Sequence, residues 1–457
     1  MPLPDVIEIV PLDKAVRAEI AVPGSKSITN RALVLAALAE GETTMQGALW
    51  SDDTQVMVDC LRELGFMVNV DPDPEESCNR IVTVYGLGGE VPRGGTPSMP
   101  LDLFVGNAGT AARFLSAMVC LGDGAYRLHG VSRMHERPQA ALFRALRQLG
   151  YRIESPNDRL PAVIHGGGPL PGAKCEVSLE QSSQFASALL LGADRGGWRI
   201  TMTSAKGTRE FALDGNGAGS GDGGQGIDGL DIDSNVREEL PYVMMTASMR
   251  SKFRSRSRIF SIEPDASSGS YFWGAAALFE EHFPNPVRNW PTSGWQVDAE
   301  FPKYLPLPPS VSRERQLGDS IMTGIAIAPF GKSVVQFTEL GRLRLQECER
   351  VQALRTELTR CGARVTETGD TLTISPSKLE DLHGAEIETY NDHRMAMCFA
   401  ILGLKVAGIK IKNPACVKKT FPNFFQKLSA PPPRGLGVTI LDGRERTRLG
   451  HDDLFAS

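Results

Sequence analysis

Gly24-Ser25-Lys26-Ser27-Ile28-Thr29-Asn30-Arg31 is a turn of small and hydroxyl residues that runs straight into the apolar stretch Ala32 to Ala39. Five other stretches repeat the device: Gly106-Asn107-Ala108-Gly109-Thr110-Ala111-Ala112-Arg113, Gln181-Ser182-Ser183-Gln184-Phe185, Pro264-Asp265-Ala266-Ser267-Ser268, Gly318-Asp319-Ser320-Ile321-Met322-Thr323 and Asn391-Asp392-His393-Arg394-Met395. A helix start leaves backbone N–H groups without intrahelical partners and carries partial positive charge, so it suits an anion. Six such starts, three of them with Lys or Arg nearby, predict a protein that holds several anionic groups.

The segments downstream of these starts repeat as well. After the first helix, stopped at Gly41, comes a strand pattern over Thr43 to Leu49. Ser51-Asp52-Asp53 then caps a second amphipathic helix, which ends at Leu64-Gly65 before the strand Phe66 to Val70. Leu146-Arg147-Gln148-Leu149-Gly150 and Leu358-Thr359-Arg360-Cys361-Gly362 end their helices in the same way, each before a strand-like run. The alternation implies internal duplication in an α/β fold, with helices packed on sheets. Two segments break the rhythm. Residues 214–233 contain eight glycines and read as a solvated loop, and 284–315 is a Pro-rich, polar excursion. After Pro431-Pro432-Pro433, the tail 431–457 reads as an appendage.

The 457 residues fit two or three domains, and 41% apolar with 23% charged residues is ordinary globular composition. A net charge of −5 speaks against a nucleic-acid surface. The eight cysteines include no C-x-x-C pair and read as reduced cytosolic thiols. No run reaches membrane-spanning length and the start lacks a signal-peptide pattern, so a cytoplasmic location is expected. Gly24-Ser25-Lys26-Ser27 is not a nucleotide P-loop, because Ser25 separates Gly24 from Lys26.

Taken in order, the helix-start motifs are joined by Arg133-Met134-x-Glu136-Arg137-Pro138, Glu347-Cys348-Glu349-Arg350, Asp392-His393-Arg394-Met395-Ala396-Met397 and Lys419-Thr420-Phe421-Pro422. Over roughly residues 10 to 427 this series resembles the enolpyruvyl transferase family, and within it the 5-enolpyruvylshikimate-3-phosphate synthases. The resemblance implies two lobes of three βαβαββ repeats each, the fourth repeat atypical here, with helix N-termini directed at an interdomain cleft. Lobe I would comprise 1–23 and 261–430, and lobe II 24–260.

The implied reaction moves the enolpyruvyl group of phosphoenolpyruvate to the 5-hydroxyl of shikimate 3-phosphate and releases phosphate. By motif, phosphoenolpyruvate would meet Lys26, Asn107, Gly109, Arg133, Gln184, Arg350, Arg394 and Lys419. Shikimate 3-phosphate would meet Lys26, Ser27, Arg31, Ser182, Ser183, Gln184, Tyr242 and Asp319, with Arg342 and Gln346 on the same side. The two substrates together bring a charge of roughly −5 to −6. Lys26, Arg31, Arg133, Arg350, Arg394 and Lys419 answer it, arginine because its planar fork grips carboxylate and phosphate. Neither metal nor cofactor is expected, and the enzyme is expected to be a monomer. Family analogy gives Asp319 the hydroxyl proton and Glu347 the methylene proton, with Lys26 bridging both substrates. The plain reading of Asp319 is a helix N-cap.

Several positions depart from the family pattern. Gln346 stands where lysine is usual, Arg342 where asparagine is, Glu239 where serine is and Phe114 where proline is common. The segment Gly341 to Leu345 reads as a strand end ahead of a helix near Glu347, from which Arg342 would replace the missing lysine. These departures concern the acceptor side or the scaffold. Two alternatives stay open at this level: a transferase with a different acceptor, and a silent homologue that only binds.

Overall fold

The computed structural model describes residues 3–179, 182–204, 207–208, 240–254, 258–279 and 285–456. The glycine-rich stretch 214–233, Glu238, Glu239 and Gln181 lie outside the described residues. Every helix start becomes a helix: Lys26–Leu38, Gly109–Met118, Ser183–Gly196, Ala266–Ala277, Ile321–Ile327 and His393–Leu402. Side-chain caps begin three of them, because the first N–H groups need an acceptor outside the helix. Ser182 accepts from Gln184 N at 3.2 Å, Asp265 from Ser268 N at 2.7 Å and Asp392 from Arg394 N at 2.8 Å. Ile28 to Leu38 and all of Gly109–Met118 are buried. Helices apolar on every side belong inside a core.

The chain forms two compact units. The first comprises Met1–Pro23, Pro74–Cys78 and Glu263–Ser457, and the second Gly24–Asp73 and Asn79–Ile262. In the second unit the helices Lys26–Leu38, Gly109–Met118, Ser183–Gly196 and Leu240–Arg254 pack on one another. In the first unit Ala266–Ala277, Ile321–Ile327 and His393–Leu402 do likewise.

One strand order recurs. Leu101–Phe104 runs parallel to Asp123–His129, which is antiparallel to Ala162–Gly167, itself antiparallel to Arg152–Glu154. The sheet Ser310–Ser312, Val335–Thr338, Thr371–Ser375, Arg364–Thr368 repeats that order. So does Ile259–Ser261, Glu40–Leu49, Asn79–Leu87, Met67–Pro72, whose first strand comes from far along the chain. A fourth copy, Glu386–Ile387, Ile409–Lys412, Val6–Ile9, Ile440–Asp442, takes its third strand from the N-terminus. Lys174–Ser178, Arg199–Ser204 and Gly207–Thr208 begin a fifth. Four complete copies and part of another are thus present among the described residues. Packing is tight where helix start meets sheet: a Cβ on Gly24 would stand 1.9 Å from Gly47 O, so only glycine passes.

Three expectations are corrected. The tail 431–457 is no appendage: Ile440–Asp442 pairs with Val6–Ile9, and Leu436, Val438, Ile440, Leu454 and Ala456 enter the core. Pro74–Cys78 leaves the second unit for the first because buried Glu76 accepts from Asn423 Nδ2 at 2.6 Å and Lys427 Nζ at 2.5 Å. Gly341–Leu345 is a 3₁₀ turn, not a strand end, and the next helix begins at Arg350. Arg344 fixes that turn through Glu349, Glu367 and Asp370 at 2.6–2.9 Å. The Pro-rich excursion contains the 3₁₀ run Val297–Tyr304, and its buried polar groups brace two helix starts. Gln296 receives Ala266 N at 3.0 Å, and Asp298 receives Gly318 N at 2.8 Å and Ser320 N at 3.1 Å. No helix among the described residues is long and apolar enough to cross a membrane.

Candidate active site

In the second unit, Lys26 occupies the first helical position and its ammonium meets buried Asp53 at 3.0 Å. Ser27 accepts Arg31 NH1 through its carbonyl at 2.9 Å. Arg31 is only 2% exposed. Its Nε donates to Thr246 Oγ1 at 2.7 Å, its NH2 to Ser187 Oγ at 3.0 Å and to the Tyr242 carbonyl at 3.5 Å. The guanidinium also lies 5.2 Å from the Phe114 ring centroid. Phe114 therefore backs Arg31, which accounts physically for an aromatic residue in place of proline. Arg31 thus ties the Ser27 carbonyl to Thr246, Ser187 and the Tyr242 carbonyl.

The Gly109 turn gathers two arginines that sequence reasoning assigned no role. A Cβ at Gly109 would come within 2.3 Å of Arg113 NH1 and 2.7 Å of Arg137 NH2. Arg113 donates to Gln184 Oε1 at 3.0 Å, and Arg137 to the Asn107 carbonyl at 3.2 Å. Asn107 Oδ1 is buried without a hydrogen-bond partner among the described residues. Ser182 caps the helix in which Ser183 is buried. Arg133 is exposed and pairs with Glu136 at 2.6 Å. Arg137, four residues further along and just past a short helix, brings its guanidinium to the Asn107 carbonyl.

The first unit gathers Asp319, Gln346, Glu347, Arg394 and Lys419 around Arg350, which is 1% exposed. Its Nε and NH2 hold Asp392 at 2.7 and 3.2 Å, its NH2 holds Glu347 at 2.8 Å and its NH1 reaches Asp319 at 3.5 Å. Lys419 Nζ takes the other Glu347 oxygen at 2.9 Å. Arg394 Nε meets Asp319 Oδ2 at 3.0 Å, while its NH1 donates to Ser267 Oγ at 2.5 Å. Gln346 Nε2 donates to Asp319 Oδ1 at 3.4 Å. The plain reading of Asp319 fails: Ser320 is the N-cap, and the Asp319 carboxylate lies among guanidiniums.

This arrangement sets the electrostatics. Burial alone would raise the Asp319 carboxyl, yet Arg394, Arg350 and Arg313 hold it well below the usual carboxylate range. Burial raises the Cys348 thiol far above its ordinary value, and Asp392 adds to this, so Cys348 stays protonated beside Glu347. Arg313 and Asp392 join Arg113 and Arg137 as groups to which the sequence assigned no role. Asp392 was legible as an N-cap, but nothing local revealed that it would also hold Arg350.

Two clusters of cations and carboxylates at helix starts, set on sheets of one repeated order, define an α/β protein that handles small organic anions. A family model described as EPSP synthase (3-phosphoshikimate 1-carboxyvinyltransferase) matches residues 11–207 and 306–428, and the chain belongs to that family. The 3-phosphoshikimate 1-carboxyvinyltransferase of Opitutus terrae is 37% identical over 447 residues, covering 94% of this chain and 98% of its own. That of Nostoc punctiforme is 34% identical over 454 residues, covering 93% and 98%. The fold matches EPSP synthase from Acinetobacter baumannii with a TM-score of 0.67 at 21% identity, over 95% of this chain and 99% of that one.

Proposed function

We propose that this protein is a cytoplasmic, monomeric enzyme that transfers the enolpyruvyl group of phosphoenolpyruvate to the 5-hydroxyl of shikimate 3-phosphate and releases phosphate, a step of aromatic amino-acid biosynthesis. Family membership over most of the chain supports the reaction. The single observation that carries the residue roles is the sharing of Arg350 by Asp319 and Glu347. Two carboxylates held by one buried guanidinium, but otherwise differently surrounded, suit two separate proton transfers.

In this reading the acceptor hydroxyl attacks C2 of phosphoenolpyruvate. Its proton goes to Asp319, and Glu347 delivers a proton to the methylene carbon. The C2–O bond to phosphate then breaks as Asp319 passes its proton to the departing phosphate, and the new methyl group returns a proton to Glu347 to form the enol ether. Lys26, Asn107, Gly109, Arg133, Gln184, Arg350, Arg394 and Lys419 serve phosphoenolpyruvate. Lys26, Ser27, Arg31, Ser182, Ser183, Gln184 and Tyr242 serve shikimate 3-phosphate together with Asp319, Arg342 and Gln346. The test is inorganic phosphate release from phosphoenolpyruvate with and without shikimate 3-phosphate. Release that requires the acceptor supports the proposal; none, or release indifferent to the acceptor, refutes it.

A further inference from the structure

Arg313 lies at the end of the Pro-rich excursion and in none of the family motifs. Its backbone continues the strand Ser310–Ser312, with its N–H donating to Thr338 O at 3.1 Å. A tight turn comes next. Gln316 Oε1 accepts from Ser312 N at 2.6 Å, and Ser312 Oγ accepts from Arg315 N at 3.0 Å. That turn brings Arg313, 5% exposed, back onto the residue six positions later: NH2 meets Asp319 Oδ1 at 3.2 Å.

The two oxygens of Asp319 are divided between different sets of partners. Oδ2 faces Arg394 at 3.0 Å and Arg350 at 3.5 Å. Oδ1 faces Arg313 at 3.2 Å and Gln346 at 3.4 Å. Arg350 and Arg394 are the arginines proposed to serve phosphoenolpyruvate. An incoming carboxylate and phosphate compete for them, and each guanidinium turned toward the donor leaves Oδ2. A carboxylate ringed by three guanidiniums is a poor proton acceptor; one that keeps a single guanidinium on its other oxygen is a better one.

We propose that Arg313 is a positioning residue for the hydroxyl-side base: it stays on Asp319 Oδ1 when the donor draws Arg350 and Arg394 off Oδ2, so that the donor itself readies Asp319 to accept the proton. The inference rests on the proposed reaction. The charged groups around Asp319 are Arg313, Arg350 and Arg394, with Glu347 and Asp298 as like charges. Arg313 in turn faces Asp319, Arg342 and Arg350. Burial draws its guanidinium down to about 10; Asp319 opposes that shift, and the two like charges add to it. Arg313 therefore stays charged at neutral pH.

The experiment uses the full chain and follows phosphate release against pH for Arg313→Gln and Arg313→Lys. With Gln, kcat should fall about 10- to 100-fold, the scale of impaired proton transfer. The acid limb of kcat should move up by about one pH unit, because a positive charge beside the base is lost. KM for phosphoenolpyruvate should stay within about twofold. Lys restores the charge and should return the limb to its parental position. A folded Arg313→Gln enzyme with parental kcat and acid limb overturns the proposal. So does a loss confined to KM for shikimate 3-phosphate with an unmoved limb, which would make Arg313 an acceptor ligand. If the Gln variant does not fold, Arg313→Lys decides: a folded Lys variant whose acid limb is displaced counts against the proposal, and a parental limb supports it. A parent enzyme without phosphate release would overturn the proposed reaction and this inference together. An active parent beside an unaltered Arg313→Gln overturns this inference alone.

Discussion

Arg350→Met removes a guanidinium shared by three carboxylates while keeping much of the side-chain volume. The pair with Asp392 is buried on both sides, 1% and 0% exposed, and breaking such a pair costs about 3–5 kcal/mol. Glu347 keeps Lys419 at 2.9 Å and Asp319 keeps Arg394 at 3.0 Å. Each keeps a cation after the substitution, so the Asp392 pair dominates the loss. At about 2–4 °C per kcal/mol for a unit of this size, the melting transition of the first unit should drop by roughly 6–20 °C. Scanning calorimetry at pH 8 and pH 5 checks the cause. An unpartnered buried carboxylate takes up a proton as the pH falls, so the gap between variant and parent should narrow at pH 5. Asp319 does not blur the comparison. Its folded-state value is depressed, so its contribution is complete above about pH 4 and is lost only as the pH falls toward that value. An Arg350→Met protein melting within about 2 °C of the parent, or showing the same loss at both pH values, would refute the reasoning.

Three further outcomes are expected. Glu347→Gln or Asp319→Asn should lower kcat about 10²- to 10⁴-fold with much smaller changes in KM; near-normal turnover in either removes it from the acid–base pair. In Gly109→Ala, the added methyl, 2.3 Å from Arg113 NH1 and 2.7 Å from Arg137 NH2, must push both guanidiniums aside. KM for phosphoenolpyruvate should rise about 10- to 100-fold, and an unaltered KM would show that these arginines do not face the donor. Arg342→Ala should weaken shikimate 3-phosphate binding by about 1.5–3 kcal/mol, as titration calorimetry would register, and adding Gln346→Lys should recover much of it. Unchanged affinity in the single variant would make Arg342 a bystander.

The helix starts were legible because capping is written within four or five residues, as Asp392 and Arg394 illustrate. Asp319, Glu347, Arg350, Arg394 and Lys419, which stand in separate motifs, form one cluster of ion pairs. Strand order was not legible. Ile259–Ser261 joins Glu40–Leu49 across roughly two hundred residues, and no local pattern encodes that partner. The tail escapes a local reading for a related reason: its proline run suggests an exit from the fold, while Ile440–Asp442 has only three residues to signal a strand. Gly341–Leu345 has a strand-like apolar pattern, but the ion pairs of Arg344 with Glu349, Glu367 and Asp370 wind it into a turn. Arg313 carries no motif at all. Only the turn that returns it to Asp319 gives it meaning.

The strand Val6–Ile9 carries a consequence for how the protein is made. It leaves the ribosome well before its neighbours Ile409–Lys412 and Ile440–Asp442. From Ile9 to its partner Ile409 is 400 residues, and at about 5–20 residues per second the wait is roughly 20–80 s. Over that interval the nascent chain holds an apolar strand with both edges open, a template for mistaken pairing. The sheet from Leu101 to Gly167 closes within one contiguous stretch and needs no such wait. A circular permutant that links residue 457 to residue 1 and opens in an exposed loop would synthesise Val6–Ile9 next to Ile440–Asp442, and its yield at high expression temperature should exceed that of the present order.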